Sequence, residues 1–216
     1  MAGELADLLA AWARAWAISR EVEPPEPFGG GWRIEVGKPN QLRRFLFSAC
    51  EPEVLGPLAA SVTDPFVFIK CCTDAARLRA ALPSDWGVAQ LGYMMVDEAP
   101  VAAPRLPPGY TLTVKPALPF IRAEITAAYD ELGASGQVIL VDGLAVYDQI
   151  VTQEAHRRRG LGQALMLELK AAAAEAGATT GALSATLMGR ELYNSLGWRM
   201  VSDYTTGASP GTAPFP

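Results

Sequence analysis

Between Gln137 and Gly177 the chain changes its hydrophobic period in a way that few folds can accommodate. Gln137-Val-Ile-Leu-Val and Leu144-Ala-Val-Tyr-Asp-Gln-Ile-Val-Thr read as strands around Asp142-Gly143, the two-residue turn favoured in a tight antiparallel hairpin. The loop Arg157-Arg158-Arg159-Gly160-Leu161-Gly162 follows. From Leu161 to about Ala176 the period becomes helical, with Leu161, Leu165 and Leu169 on one stripe and Gly177 at the C-terminal stop. A helix N-terminus presents unpaired N–H groups and partial positive charge, and so attracts phosphate. Glycines let the backbone come close to an anion, and arginines add charge-assisted hydrogen bonds. Alone, this loop predicts an anion site and no more.

Composition narrows the ligand. The chain has a net charge of −5 and a single histidine. Arg157–Arg159 is its one basic run, so no stripe of Lys and Arg offers a nucleic-acid footprint. A basic spot on an acidic protein suits a small anion. Mean hydropathy is +0.15, yet charges break every apolar run before the roughly 18 residues of a membrane span. The N-terminus carries acids where a secretory signal carries bases. The expectation is a cytoplasmic protein with no membrane partner. Cys71 and Cys72 lie in a segment that reads as a buried strand, and His156 is far from them, so no metal site is expected.

The N-terminal region, residues 1–100, predicts an α/β unit. It contains a helix over 3–20, a hairpin at Trp32–Val36 and Arg44–Phe47, a short helix at Val54–Ala60 and a strand at Phe66–Cys72. A helix capped by Asp74 and a strand at Gly87–Val96 complete it. Residues 101–109 read as a Pro-rich linker. The second domain, 110–204, adds strands at Tyr110–Val114 and Ile121–Thr126 before the hairpin. After the long helix it has a strand at Gly181–Leu187, a helix at Gly189–Leu196 and a strand at Trp198–Ser202. Residues 205–216, rich in Gly and Pro, read as a flexible tail. Two glycine patterns fail: Gly31-Trp-Arg-Ile-Glu-Val-Gly-Lys-Pro has the wrong spacing for a P-loop, and no Gly-x-Gly-x-x-Gly occurs.

The segment Ile150-Val-Thr-Gln-Glu-Ala-His-Arg-Arg-Arg-Gly-Leu-Gly-Gln-Ala resembles the acetyl-CoA motif of the GCN5-related N-acetyltransferases, Arg/Gln-x-x-Gly-x-Gly/Ala. Further on, Glu191-Leu-Tyr-Asn-Ser-Leu-Gly-Trp resembles their second landmark. The resemblance covers about 110–204. It implies a mixed, mostly antiparallel sheet flanked by helices, with acetyl-CoA as acyl donor. The N-terminal region is a candidate degenerate copy of that fold, expected to form part of the acceptor side, although no repeat is visible in sequence.

The resemblance also implies roles. Ile150, Val151 and Thr152 would line the pantetheine, with a backbone N–H near Val151 on the thioester oxygen. Arg157, Arg158, Arg159, Gly160, Leu161, Gly162 and Gln163 would hold the pyrophosphate. Tyr193 would be general acid and Asp148 the base, with Asp130 and Glu131 weaker candidates and His156 a surface residue. Alternation would place Asp148 on one face with Val146 and Ile150. Glu154 stands where the family commonly has a proline and Thr186 where it commonly has an Asn; Gly189 occupies the place of the usual small residue. Helices usual between the first two strands are hard to place between Val114 and Ile121. The implied function is N-acetylation of a primary amine, on a small molecule or a peptide. The alternative is a catalytically silent CoA-binding sensor or interaction module. Sheet edges and apolar composition are compatible with a homodimer.

Overall fold

The computed structural model describes residues 2–98, 103 and 105–212. In chain order the elements are α1 (Ala2–Arg20), β1 (Glu26–Phe28), β2 (Gly31–Lys38), β3 (Gln41–Phe47), α2 (Pro52–Ser61) and β4 (Val67–Cys71). Next come α3 (Ala75–Ala81), β5 (Gly87–Asp97), β6 (Thr111–Ala117), β7 (Phe120–Thr126), β8 (Leu132–Val141) and β9 (Leu144–Thr152). Last are α4 (Leu161–Glu175), β10 (Thr180–Ala185), α5 (Leu187–Ser195) and β11 (Arg199–Ala208). The fold is α/β, with a mixed, mostly antiparallel sheet flanked by helices.

The chain divides into two compact units, and the division does not follow the sequence boundary. One unit holds residues 1–95, 184–187 and 200–216, and the other holds 96–183 and 188–199. The tail expected from residue 205 onward is corrected in part: β11 runs through Ala208, and Thr205, Thr206, Ala208 and Ser209 are buried. Its ladder with β4 pairs Thr205 with Cys71 and Ala208 with Phe68, which uses the backbone groups that a free tail would leave to water. Residues 213–216, and 99–102 and 104 in the linker region, lie outside the described residues.

In the first unit the strands run β1-β2-β3-β4-β11-β5. Alternation along β3 and β4 sends Phe45, Phe47, Val67, Ile69 and Cys71 to one face, where Leu55, Leu58, Leu78 and Trp86 complete a core with α2 and α3. Asp74 caps α3 by accepting the Arg77 N–H at 2.9 Å, a bond of the kind that stabilises by about 1 kcal/mol. The opposite face receives α1. Trp12 meets Tyr204 edge-on at 5.6 Å, and the Arg44 guanidinium lies 4.0 Å from the Trp16 ring centroid. The tryptophans of the first helix are thus core residues.

In the second unit the order is β10-β9-β8-β7-β6. Ile121, Ala123, Ile125, Ala134 and Val138 are buried, as are Leu161, Leu165 and Leu169 of α4. A Cβ at Gly136 would meet Ile150, Leu165 and Leu169, which places α4 over that face of the sheet. No helix lies between β6 and β7. A tight turn at Leu118-Pro119 joins them, and they pair from Thr111–Thr126 to Ala117–Phe120. Asp97 and Lys170 form a 2.5 Å ion pair, with side-chain exposures of 2% and 15%, that fastens the start of this unit to α4.

Candidate active site

The hairpin strand β9 does not keep its alternation. Gln137 faces Asp148 and Ser135 faces Val151, so three steps on β9 match two on β8. Gln149, at φ 56, absorbs the extra residue as a bulge. Asp148 shares its face with Gln137, whereas Ile150 points to the Gly136 side, against α4. The expected grouping of Asp148 with Ile150 is therefore wrong, because it assumed an unbroken period of two. Val151 emerges 45% exposed.

Ahead of the bulge, β9 and β10 already part. Their parallel ladder covers only Leu144–Val146 against Thr180–Ala182, and the remainder of β9, through Thr152, stays paired with β8 alone. Open backbone on one side of β9 can accept an extended ligand much as it would accept another strand.

The loop after β9 ends in a helix start without a side-chain cap. Gly160 adopts φ 82 as N-cap of α4 and supplies no side-chain cap. The first intrahelical bond is Ala164 N–H to Gly160 carbonyl, so the N–H groups of Leu161, Gly162 and Gln163 have no helical partner. A Cβ at Gly162 would stand 3.0 Å from Leu192 Cδ2 and 3.4 Å from Thr152 Oγ1, which brings α5 beside the loop. Arg157, Arg158 and Arg159 are all exposed. Arg157 Nε lies 3.4 Å from the Thr152 carbonyl.

His156, expected at the surface, is 5% exposed. Its Nδ1 is 3.0 Å from the Tyr110 hydroxyl, which also accepts from Arg159 Nη1 at 3.0 Å. Its Nε2 sits 3.2 Å from Glu131 Oε1, off line for a hydrogen bond. Glu131 is therefore engaged behind the loop, and Asp130 is exposed in a left-handed turn with φ 56.

Tyr193 on α5 is buried against Trp198, with ring centroids 5.9 Å apart; Trp198 in turn meets Tyr147 edge-on at 5.0 Å. Burial, and after it the charge of Asp148, pushes the Tyr193 phenol up to about 12. The phenol is thus held protonated at neutral pH and near a carboxylate.

The GNAT acetyltransferase domain model matches residues 122–200. Residues 122–200 are a GNAT domain.

A GCN5-related N-acetyltransferase from Kribbella flavida shares 15% identity over 93% of this chain and 96% of its own, with a TM-score of 0.65. Another, from Sphaerobacter thermophilus, shares 11% over 100% and 95%, with a TM-score of 0.59. A tandem GNAT protein from the clavulanic acid biosynthesis pathway shares 13% over 69% and 65%, at 0.51. At such identities these likenesses establish the fold. No curated protein matches the chain. The GNAT domain makes the protein an acyltransferase that uses acyl-CoA.

Within this GNAT domain the structure brings together most of the residues that sequence singled out: β9 carries Ile150, Val151 and Thr152, and Gly162 abuts both Thr152 and α5. Asp148 and Tyr193 interact electrostatically across separate elements. Sequence reading missed Tyr110, which looked like an ordinary strand start after Pro107-Pro108-Gly109. It placed Trp198 in the second landmark but missed that its ring supports Tyr193. Only tertiary contact reveals either one.

Proposed function

We propose that the protein moves an acetyl group from acetyl-CoA to a primary amine by direct attack in a ternary complex. The observation that carries this reading is the parting of β9 from β10 directly before the uncapped N-terminus of α4. Extended pantetheine suits the open edge of β9, and the pyrophosphate suits the helix start with Arg157–Arg159.

In this scheme the amine nitrogen bonds to the thioester carbonyl carbon while the C–S bond breaks. A backbone N–H near Val151 holds the oxygen as it gains charge. Asp148, directly or through water, takes the proton from the amine. Tyr193 gives its proton to the departing thiolate. The support for Tyr193 is its position on α5 within electrostatic reach of Asp148, with the phenol neutral and so able to donate. The support for Asp148 is its place beside the bulge and its influence on Tyr193. Holding both substrates in one site supplies much of the acceleration.

We also read the N-terminal region as a degenerate copy of the same unit. Hairpin β2–β3, helix α2, parallel strand β4, helix α3 and strand β5 repeat the succession β8–β9, α4, β10, α5 and β11.

The test is release of CoA from acetyl-CoA by the purified protein with a panel of small amines and peptides, with mass analysis of the acceptor. Acylated amine is the expected product. Acetyl-CoA binding without CoA release for any amine would sink the enzyme mechanism and leave a silent CoA-binding module. A longer acyl-CoA that outperforms acetyl-CoA would overturn the choice of acyl group.

A further inference from the structure

The Arg157–Gly162 loop is held from behind by a chain of three side chains. Glu131, His156 and Tyr110 lead in that order to Arg159. The middle member is buried, and Arg159 itself is exposed. Tyr110 is fixed as well: a Cβ at Gly133 would lie 3.3 Å from its Cε1.

The chemistry of the donors sets the direction of this chain. A guanidinium only donates, so the Tyr110 oxygen accepts from Arg159 Nη1. One hydrogen lies between the hydroxyl and His156 Nδ1, its side set by the imidazole tautomer, and Nε2 faces Glu131. The His156–Tyr110 bond orients the hydroxyl, and the Tyr110 bond takes up one Arg159 N–H while leaving the others for a ligand.

A long exposed arginine has much rotamer freedom to lose when it engages an anion. Anchoring one of its N–H groups removes part of that loss before the ligand arrives. We infer that Tyr110 and His156 are positioning residues that preset Arg159 for a phosphate of the acyl-CoA donor. The inference rests on the acyl-CoA reading of the loop and adds to it two residues outside the loop's glycine-arginine pattern.

It predicts a defect in donor affinity and not in chemistry. Tyr110→Phe keeps the ring and removes the hydroxyl, so KM and Kd for acetyl-CoA rise about tenfold, the equivalent of ordering one arginine side chain on binding. kcat stays within about twofold. His156→Leu behaves the same way. His156→Asn, whose amide can place an acceptor near Nδ1, retains affinity.

The experiment compares two donors. One is acetyl-CoA; the other is an acetyl-pantetheine thioester, which lacks the pyrophosphate. Tyr110→Phe lowers kcat/KM for the first and leaves the second unchanged. In an Arg159→Gln background, Tyr110→Phe has no further effect on acetyl-CoA affinity. Equal losses with both donors, or full additivity with Arg159→Gln, would show that Tyr110 acts only on folding or elsewhere and would overturn the inference. If the unaltered protein fails to bind CoA, the acyl-CoA reading falls and takes this one with it. If it binds CoA and Tyr110→Phe binds equally well, only the positioning role falls.

Discussion

Asp148 and Tyr193, forty-five residues apart in sequence, are coupled in the fold: the carboxylate on β9 helps to hold the α5 phenol in its neutral form. If they act as base and acid, the two variants fail differently. Tyr193→Phe should lower kcat by about 10²-fold at every accessible pH, with the KM for acetyl-CoA little changed. Asp148→Asn should lower the rate near neutral pH and recover as alkali deprotonates the amine without help. A pH–rate profile of each variant checks this. An Asp148→Asn profile parallel to that of the unaltered protein would remove Asp148 from the role of base.

Lys70 gives a pH dependence of stability. Its ammonium donates to Thr206 Oγ1 at 2.9 Å and lies 5.3 Å from the Tyr204 ring centroid. Burial, with a contribution from Arg44, lowers its pKa from 10.5 to about 7. Between those values the unfolded chain binds a proton that the folded chain does not, so stability rises with pH across that window. Below it the folded state bears the full cost of the buried charge. Lys70→Met should therefore raise Tm by several degrees near pH 6 and by little near pH 10. Thermal melts at the two pH values test the sign. An equal change at both would show that Lys70 is charged throughout.

Asp97→Ala leaves the Lys170 ammonium, 15% exposed, without the carboxylate it donates to at 2.5 Å. The expected loss is about 3 kcal/mol, because an uncompensated buried charge remains. Asp97→Ala combined with Lys170→Met should recover a good part of it. Urea unfolding of the three variants measures the coupling directly.

The chain should bind one equivalent of acetyl-CoA. In the N-terminal region β3 and β4 pair at five positions, from Arg43–Val67 to Phe47–Cys71, so their ends do not part as β9 and β10 do. The chain entering α2 reads Ser48-Ala-Cys-Glu-Pro-Glu, with Glu51 as N-cap and Glu53 in the first turn. Carboxylates there place negative charge at the helix start and repel phosphate. Calorimetric titration reads the stoichiometry, and two equivalents per chain would refute the assignment of α2 as a closed copy.

Much of this was legible because the signals were local. Asp142-Gly143 fixed a hairpin, the glycines after Arg159 marked the start of α4, and Leu161, Leu165 and Leu169 fixed its buried stripe. Turn chemistry, helix starts and periodicity depend on residues within a few positions of one another, and one strand of sequence contains all of them. The acetyltransferase domain was legible for the same reason, since its two landmarks are short.

The rest depended on residues far apart. No local pattern announced that Gln149 would enter the left-handed region and turn Asp148 away from Ile150. The sequence around Thr205 looked like a loose tail, yet strand β4, more than a hundred residues earlier, supplies its hydrogen-bond partners. His156 looked like surface beside three arginines until Tyr110 and Glu131 closed over it. The amino-acid sequence determined where the chain would turn and coil, and where a run of arginines would precede a helix start. Tertiary structure decided which backbone groups found partners and which polar side chains were buried together, because the partners and neighbours that settle both come from distant parts of the chain.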